Sequence, residues 1–445
     1  MSLSIIELND SEIRIANGAD IILRHPGYAV LKADSIETGA DAVRLARSNP
    51  RATYNRYWSQ LSQDSLIVPS HLARHNADLA YAQLLTMHDQ AGQPEEILFA
   101  VPGSFSKEQL SLLLGIVEAC PFTAVGLVDA ATACTAAVAE VGNYSHLDIH
   151  LHYAVITHLD VTDKVSRKSV RIIDNNGLAD IYDTCASFLS DMFIDQSRFD
   201  PLRHAETEQS LYDQIPRCLG TIKTGDEVTL EIQFRDKRYQ ARVFKEPLLE
   251  RLTKHYEKIY REISGTTANL VSDRLDKLPG FTDRIPNAIS IDEGAVFQGC
   301  NINLQNIRSA GPSLSFITSL PTTKSARELV AQPASNPSAP VIPPSSRPAA
   351  NSPVTHVLIN NRAYPLNQDP LYLSAAGYAS TTLDDNIHCS ASLTRNDGAE
   401  LKPEGELTIF INGARINGET GVNPGDKISF AGSDTVIRFI EVAEN

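Results

Sequence analysis

The chain has 445 residues, 42% of them apolar, and a formal net charge of −15. Its length predicts two to four domains with sizeable cores, and its acidity argues against a nucleic-acid or anionic-membrane surface as its main business. The start MSLSIIELND does not read as a signal peptide, no apolar run is long enough to span a bilayer, and Cys120, Cys134, Cys185, Cys218, Cys300 and Cys389 are scattered, so a cytoplasmic protein with reduced thiols, no zinc site and no membrane insertion is expected.

In chain order, residues 4–6, 13–16 and 19–23 read as short strands joined by turns. Residues 70–90 follow a helical period through Leu72, Leu79, Leu84 and Leu85. Residues 97–101 form a continuous apolar run, as in a buried strand. Residues 107–120 predict an amphipathic helix, 124–128 a second buried strand, and 130–141 a helix of small residues. Residues 146–157 and 169–174 read as strands, 182–195 and 206–218 as helices. Residues 227–234 and 237–244 form a hairpin over Arg235-Asp236, and 247–263 a strong helix. This alternation predicts an α/β fold with crossover connections. Residues 319–354 are rich in Pro, Ser and Ala and predict a flexible linker. Short runs at 357–359, 371–373, 390–393, 406–411, 427–430 and 436–440 predict a small all-β sandwich over 355–445.

One stretch is more specific. Val101-Pro102-Gly103-Ser104-Phe105, a helix from Lys107, and Val128-Asp129-Ala130-Ala131-Thr132-Ala133 resemble the V-P-x-x-F, helix and Glu-Pro-Thr-Ala-Ala order of DnaK-type ATPases. Ile6-Glu7-Leu8-Asn9-Asp10-Ser11 followed by Ile13-Arg14-Ile15-Ala16 is similar to the family's opening strand, Asp-Leu-Gly-Thr-Thr turn and second strand. Arg198-Phe199-Asp200-Pro201 and the helix, hairpin and helix after it resemble the outer part of the second lobe. The resemblance covers residues 1–318. It implies a two-lobed actin-like ATPase fold with ribonuclease H-like halves around a cleft, each half built on a five-stranded sheet.

The same resemblance implies an ATP and magnesium site, and shows where this chain departs from it. Glycine turns let backbone N–H groups approach phosphates, and carboxylates organise magnesium. Here Glu7 stands for the family's aspartate and Asn9 for its glycine. The aligned second phosphate turn is 157–162, with Asp160 and Thr162 but no glycine. The adenosine-side motif corresponds to 278–286, with one glycine. Asp129 stands for the catalytic glutamate, or simply caps the following helix. No lysine matches the catalytic one; Arg56 lies in that neighbourhood. The reading adopted is a fold that persists without its nucleotide site, hence a non-catalytic scaffold or regulator with protein partners. The alternative is a divergent ATP hydrolase using Glu7, Asn9, Asp160 and Thr162 for the cofactor and Asp129 for catalysis. No Walker loop or nucleophile elbow signals another enzyme class.

In the last domain, Phe410-Ile411-Asn412-Gly413 and Pro424-Gly425-Asp426 before a strand are similar to the end of a forkhead-associated domain. Ile387 and Ser390 fall at that family's phosphothreonine-reading places, and no arginine occurs around 371–377. Phosphate recognition then lacks its main charge-assisted contact, so a protein-binding module without phosphothreonine preference is expected. His146, Asp148, His150 and His152 alternate, as on one face of a strand; a solvated face is the expectation, a shared metal the alternative. Tyr54, Tyr57 and Trp58 read as a packing cluster.

Overall fold

In the computed structural model the described residues are 3–263, 267–309 and 314–322. In the C-terminal part they are 355–359, 362–366, 370–374, 379–380, 390–395, 399–404, 408–412, 414–416, 418–431 and 436–440. The chain divides into two compact units, Met1–Ser335 and Asn336–Asn445. Among the described residues no helix is long and apolar enough to cross a membrane.

The first unit is mixed α/β and contains one strand arrangement twice. In the first sheet Leu3–Glu7 runs antiparallel to Ile13–Asn17, which pairs antiparallel with Asp20–His25. On its other side Leu3–Glu7 is parallel to Glu96–Val101, which is parallel to Thr123–Asp129. The second sheet repeats this. Gly142–Ile149 pairs antiparallel with Tyr153–Val161, which pairs antiparallel with Lys164–Asp174. Gly142–Ile149 is also parallel to Ala268–Val271, which is parallel to Ala288–Ser290. Phe316–Ile317 adds an edge to the first sheet and Ser319–Pro321 an edge to the second.

Local chemistry explains the elements. Every residue of Glu96–Val101 is buried, as expected of a central parallel strand covered on both faces. Ser106 and Gln109 form a reciprocal capping box that starts helix Lys107–Glu118. The helix expected over 70–90 is Asn76–Gln90, because the Asp78 carboxylate accepts the N–H groups of Arg74 and His75 and so fixes a later start. The expected strand 146–157 is really two strands, broken by a turn at 150–152. Of the linker expected over 319–354, Ser319–Pro321 is instead a paired strand; residues 323–354 lie outside the described residues.

The C-terminal unit has two antiparallel sheets sharing one apolar cluster. Val357 and Ile359, Leu371 and Leu373, Ile428 and Phe430, and Ile437 and Phe439 are buried at a spacing of two, the period of half-buried strands. Asn412 takes a left-handed conformation, φ 51°. Its side chain donates to Asp426 Oδ1 at 2.6 Å and accepts the Lys427 N–H at 3.0 Å. Ile387 lies outside the described residues. Ser390 is buried, and its N–H donates to the Leu373 carbonyl.

Candidate functional site

The repeated strand order places two turns in equivalent positions, 8–12 after the first strand of one half and 150–152 after the first strand of the other. They bond to each other. Asn9 Nδ2 donates to Asp148 Oδ2 at 2.9 Å and to the Ile149 carbonyl at 3.0 Å. Asp10 Oδ1 accepts the Leu151 N–H at 2.8 Å and His150 Nδ1–H at 3.2 Å. His150 in turn stacks on Tyr153, with ring centroids 4.6 Å apart. The carbonyls of His150 and Leu151 accept the N–H groups of Leu178 and Ala179, in the first turn of helix Leu178–Ser197. That approach needs Gly177, where a Cβ would lie 2.4 Å from the His152 backbone.

Beneath the turns lies a buried ion cluster joining the halves. Glu7, at the end of its strand, receives both terminal nitrogens of Arg274 at 2.9 Å. Arg14 forks onto Asp273 at 2.9 and 2.7 Å, and its Nε donates to Glu12 at 2.7 Å. Arg274 also donates to the Glu12 carbonyl and stands 3.8 Å from Asp148. Burial alone would lower the Arg274 pKa, but the fields of Glu7 and Asp148 outweigh it and leave it raised. Burial pulls Asp273 upward; its bond to Arg14 and the field of Arg274 prevail and hold it well below the usual carboxylate range. Asp148 is held down in the same way by Arg274 and His150 against its burial.

The cluster accounts for Glu7 and Asn9 and relocates the rest of the expected site. Glu7 is consumed by Arg274. Asn9 is not among the residues with positive φ; its side-chain amide reaches across to Asp148 and Ile149. Asp129 ends its strand and caps helix Ala130–Val138. One carboxylate oxygen accepts the N–H and hydroxyl of Thr132, at 2.8 and 2.9 Å, and the other meets Arg167 at 2.7 Å. Asp160 and Thr162 lie at the opposite end of Tyr153–Val161 from the 150–152 turn. Seven residue-to-residue steps of strand separate Tyr153 from Asp160, roughly 23 Å. Asp160 pairs with Lys168 at 3.1 Å and Thr162 donates to Asp163. The turn facing 8–12 is therefore 150–152, not 157–162. The cluster draws on Asp273 and Arg274, which follow the strand Ala268–Val271, and not on 278–286.

His146, His150 and His152 are buried, so the expected solvated face is absent. The break at 150–152 moves two of them off the strand and into the turn. His152 Nε2 donates to the Asn55 carbonyl at 2.9 Å, and its pKa is lowered by burial and then by Arg56. Among the described residues no cluster of three His, Cys, Asp or Glu side chains is placed to hold a metal ion. Arg14, Asp273 and Arg274 were not singled out in the sequence as site residues, and Asp148 only with the alternating histidines. The one available signal was that Ser272-Asp273-Arg274 follows a buried parallel strand, and sites in α/β sheets gather at carboxyl ends of strands.

Beside the cluster the halves border an open cavity of about 820 Å3, walled by Tyr28, Val43, Tyr182, Tyr212, Leu219 and Leu278 among others. Arg47 lies 3.5 Å over the Tyr212 ring and is held by Asp183 and Glu208. The chain matches no family model and no curated protein.

Proposed function

We propose that residues 1–318 are a degenerate actin/DnaK-type body that works without nucleotide, as a non-catalytic scaffold or regulator. In this reading the C-terminal unit is a forkhead-associated-like module for protein partners. Support for the body comes from the strand order shared by the two sheets, a three-stranded meander followed by two parallel strands. The observation that carries the functional reading is the Asp10 carboxylate. It already accepts the Leu151 N–H and the His150 ring N–H, donors of the turn that a bound phosphate would need. Asn9 and Asp148 tie the same turns, and Glu7 is neutralised by Arg274 rather than left open to a cation. A triphosphate would have to break these contacts and bring its own charge against Asp10 and Asp148. Calorimetric titration of the full chain with ATP and ADP at millimolar magnesium should show no saturable heat. Micromolar magnesium-dependent binding, weakened by both Glu7→Ala and Asp129→Ala, would restore the ATP hydrolase.

A further inference from the structure

The cavity between the halves is large and mainly apolar, and the contacts just described do not fill it. Its volume of about 820 Å3 falls within the range of small-molecule sites, about 300–1,000 Å3. Tyr28, Tyr182 and Tyr212 supply aromatic surface, with Leu151, Leu219 and Leu278 between them.

The charges on the walls decide what fits. Six bases line the cavity, and each already has a carboxylate. Arg14 and Lys277 share Asp273, at 2.7 and 2.8 Å. Arg274 holds Glu7 at 2.9 Å, and Lys223 holds Asp276 at 2.7 Å. Arg47 holds Asp183 and Glu208, and Arg44 holds Asp41. Glu12 is taken by Arg14 at 2.7 Å. Asp213 differs: among the described residues it accepts only the Gln209 amide, at 2.8 Å, with no base at ion-pair distance. An anionic ligand would find every base paired, whereas a cation finds the exposed Asp213 carboxylate without a base and the rings of Tyr28 and Tyr182, Tyr212 being already covered by Arg47, the usual surroundings of an organic ammonium.

We propose that this cavity binds a ring-bearing organic cation without phosphate groups. The ligand class rests on the nucleotide-free reading of the turns above. Asp213 would meet the positive nitrogen while the tyrosines and leucines take the ring system. Gly220 lines the same cavity, on helix Ala205–Thr224, and a Cβ there would meet nothing within 4 Å. A bulky side chain at 220 therefore has open space at the exposed rim of the cavity and can narrow it without displacing a neighbour.

The test uses proflavine, a planar cation, and 1-anilinonaphthalene-8-sulfonate, an aromatic anion, titrated into the full chain by fluorescence. Proflavine should bind saturably at one site. Asp213→Asn should weaken it by about tenfold or more, Gly220→Trp should weaken it as well, and the sulfonate should bind at least about tenfold more weakly than proflavine. The proposal is overturned if proflavine does not saturate, if both variants bind it unchanged, or if the sulfonate binds as well. Displacement of proflavine by micromolar magnesium-ATP would overturn the nucleotide-free reading, and with it the ligand class. Failure of proflavine with no ATP binding would overturn the ligand class alone.

Discussion

The ion pair between Glu7 and Arg274 joins residues 267 positions apart in the chain and is the most direct measure of how tightly the halves are clamped. Both side chains are nearly inaccessible, at 4% and 6%. Replacing Arg274 by Met removes two bonds to Glu7 and one to the Glu12 carbonyl, leaving Glu7 with only Arg14, 3.9 Å away. A buried charge stripped of its partner costs about 3–5 kcal/mol. Glu7→Gln should cost less, about 2 kcal/mol, because Arg274 still faces Asp148. In the double variant neither charge is left buried alone. It should therefore be more stable than the sum of the single effects predicts, by about 2 kcal/mol. Trp58 is the single tryptophan and is buried in the first unit, so its fluorescence in urea reports that unit without the C-terminal one. With a urea slope of about 3 kcal/mol/M, Arg274→Met should lower the midpoint by about 1 M or more. A loss below about 1 kcal/mol, or additivity within about 0.5 kcal/mol, would refute the picture of a desolvated clamp.

Two further outcomes follow from the buried polar groups around Trp58. Gln83 is fully buried, and its Oε1 accepts both Tyr57 Oη at 2.5 Å and Trp58 Nε1 at 2.7 Å. Gln83→Leu orphans both donors and should cost about 2–5 kcal/mol in thermal unfolding; a change under about 0.5 kcal/mol would show that the network contributes nothing. The second outcome concerns pH. Indole N–H is donor only, so the Gln83 amide must turn Nε2 toward His25 Nδ1, at 2.7 Å. His25 is thus held neutral, and burial, opposed by the field of Asp41, lowers its pKa from 6.5 to about 4. His146, His152 and His255 are also lowered, each mainly by burial. Below pH 6.5 the unfolded chain takes up protons that the folded chain refuses. Stability should therefore be fully present above that pH and fall toward pH 4, by about 3 kcal/mol from His25 alone. Stability that is flat or rising across this interval in urea titrations would contradict the assignment.

Much of this protein was legible in one dimension. The run 97–101 read as a buried strand, residues 227–244 as a hairpin over Arg235-Asp236, and 107–120 as an amphipathic helix, because each depends on neighbours within a few positions. The all-apolar and alternating runs also placed the mixed α/β region ahead of a β-rich one. The site was less legible. Residues 146–157 keep a strand-like pattern straight through His150, Leu151 and His152, and nothing local forces a break there. The break is imposed by Asp10, which captures the Leu151 N–H from the other half, and by the start of helix Leu178–Ser197 under the turn. Arg14 and Arg274 look like surface charges in sequence, since a lone arginine is too costly to bury. Only the folded chain brings Asp273 and Glu7 within 3 Å of them, and that pairing, set by distant segments meeting across the cleft, is what makes their burial physically possible.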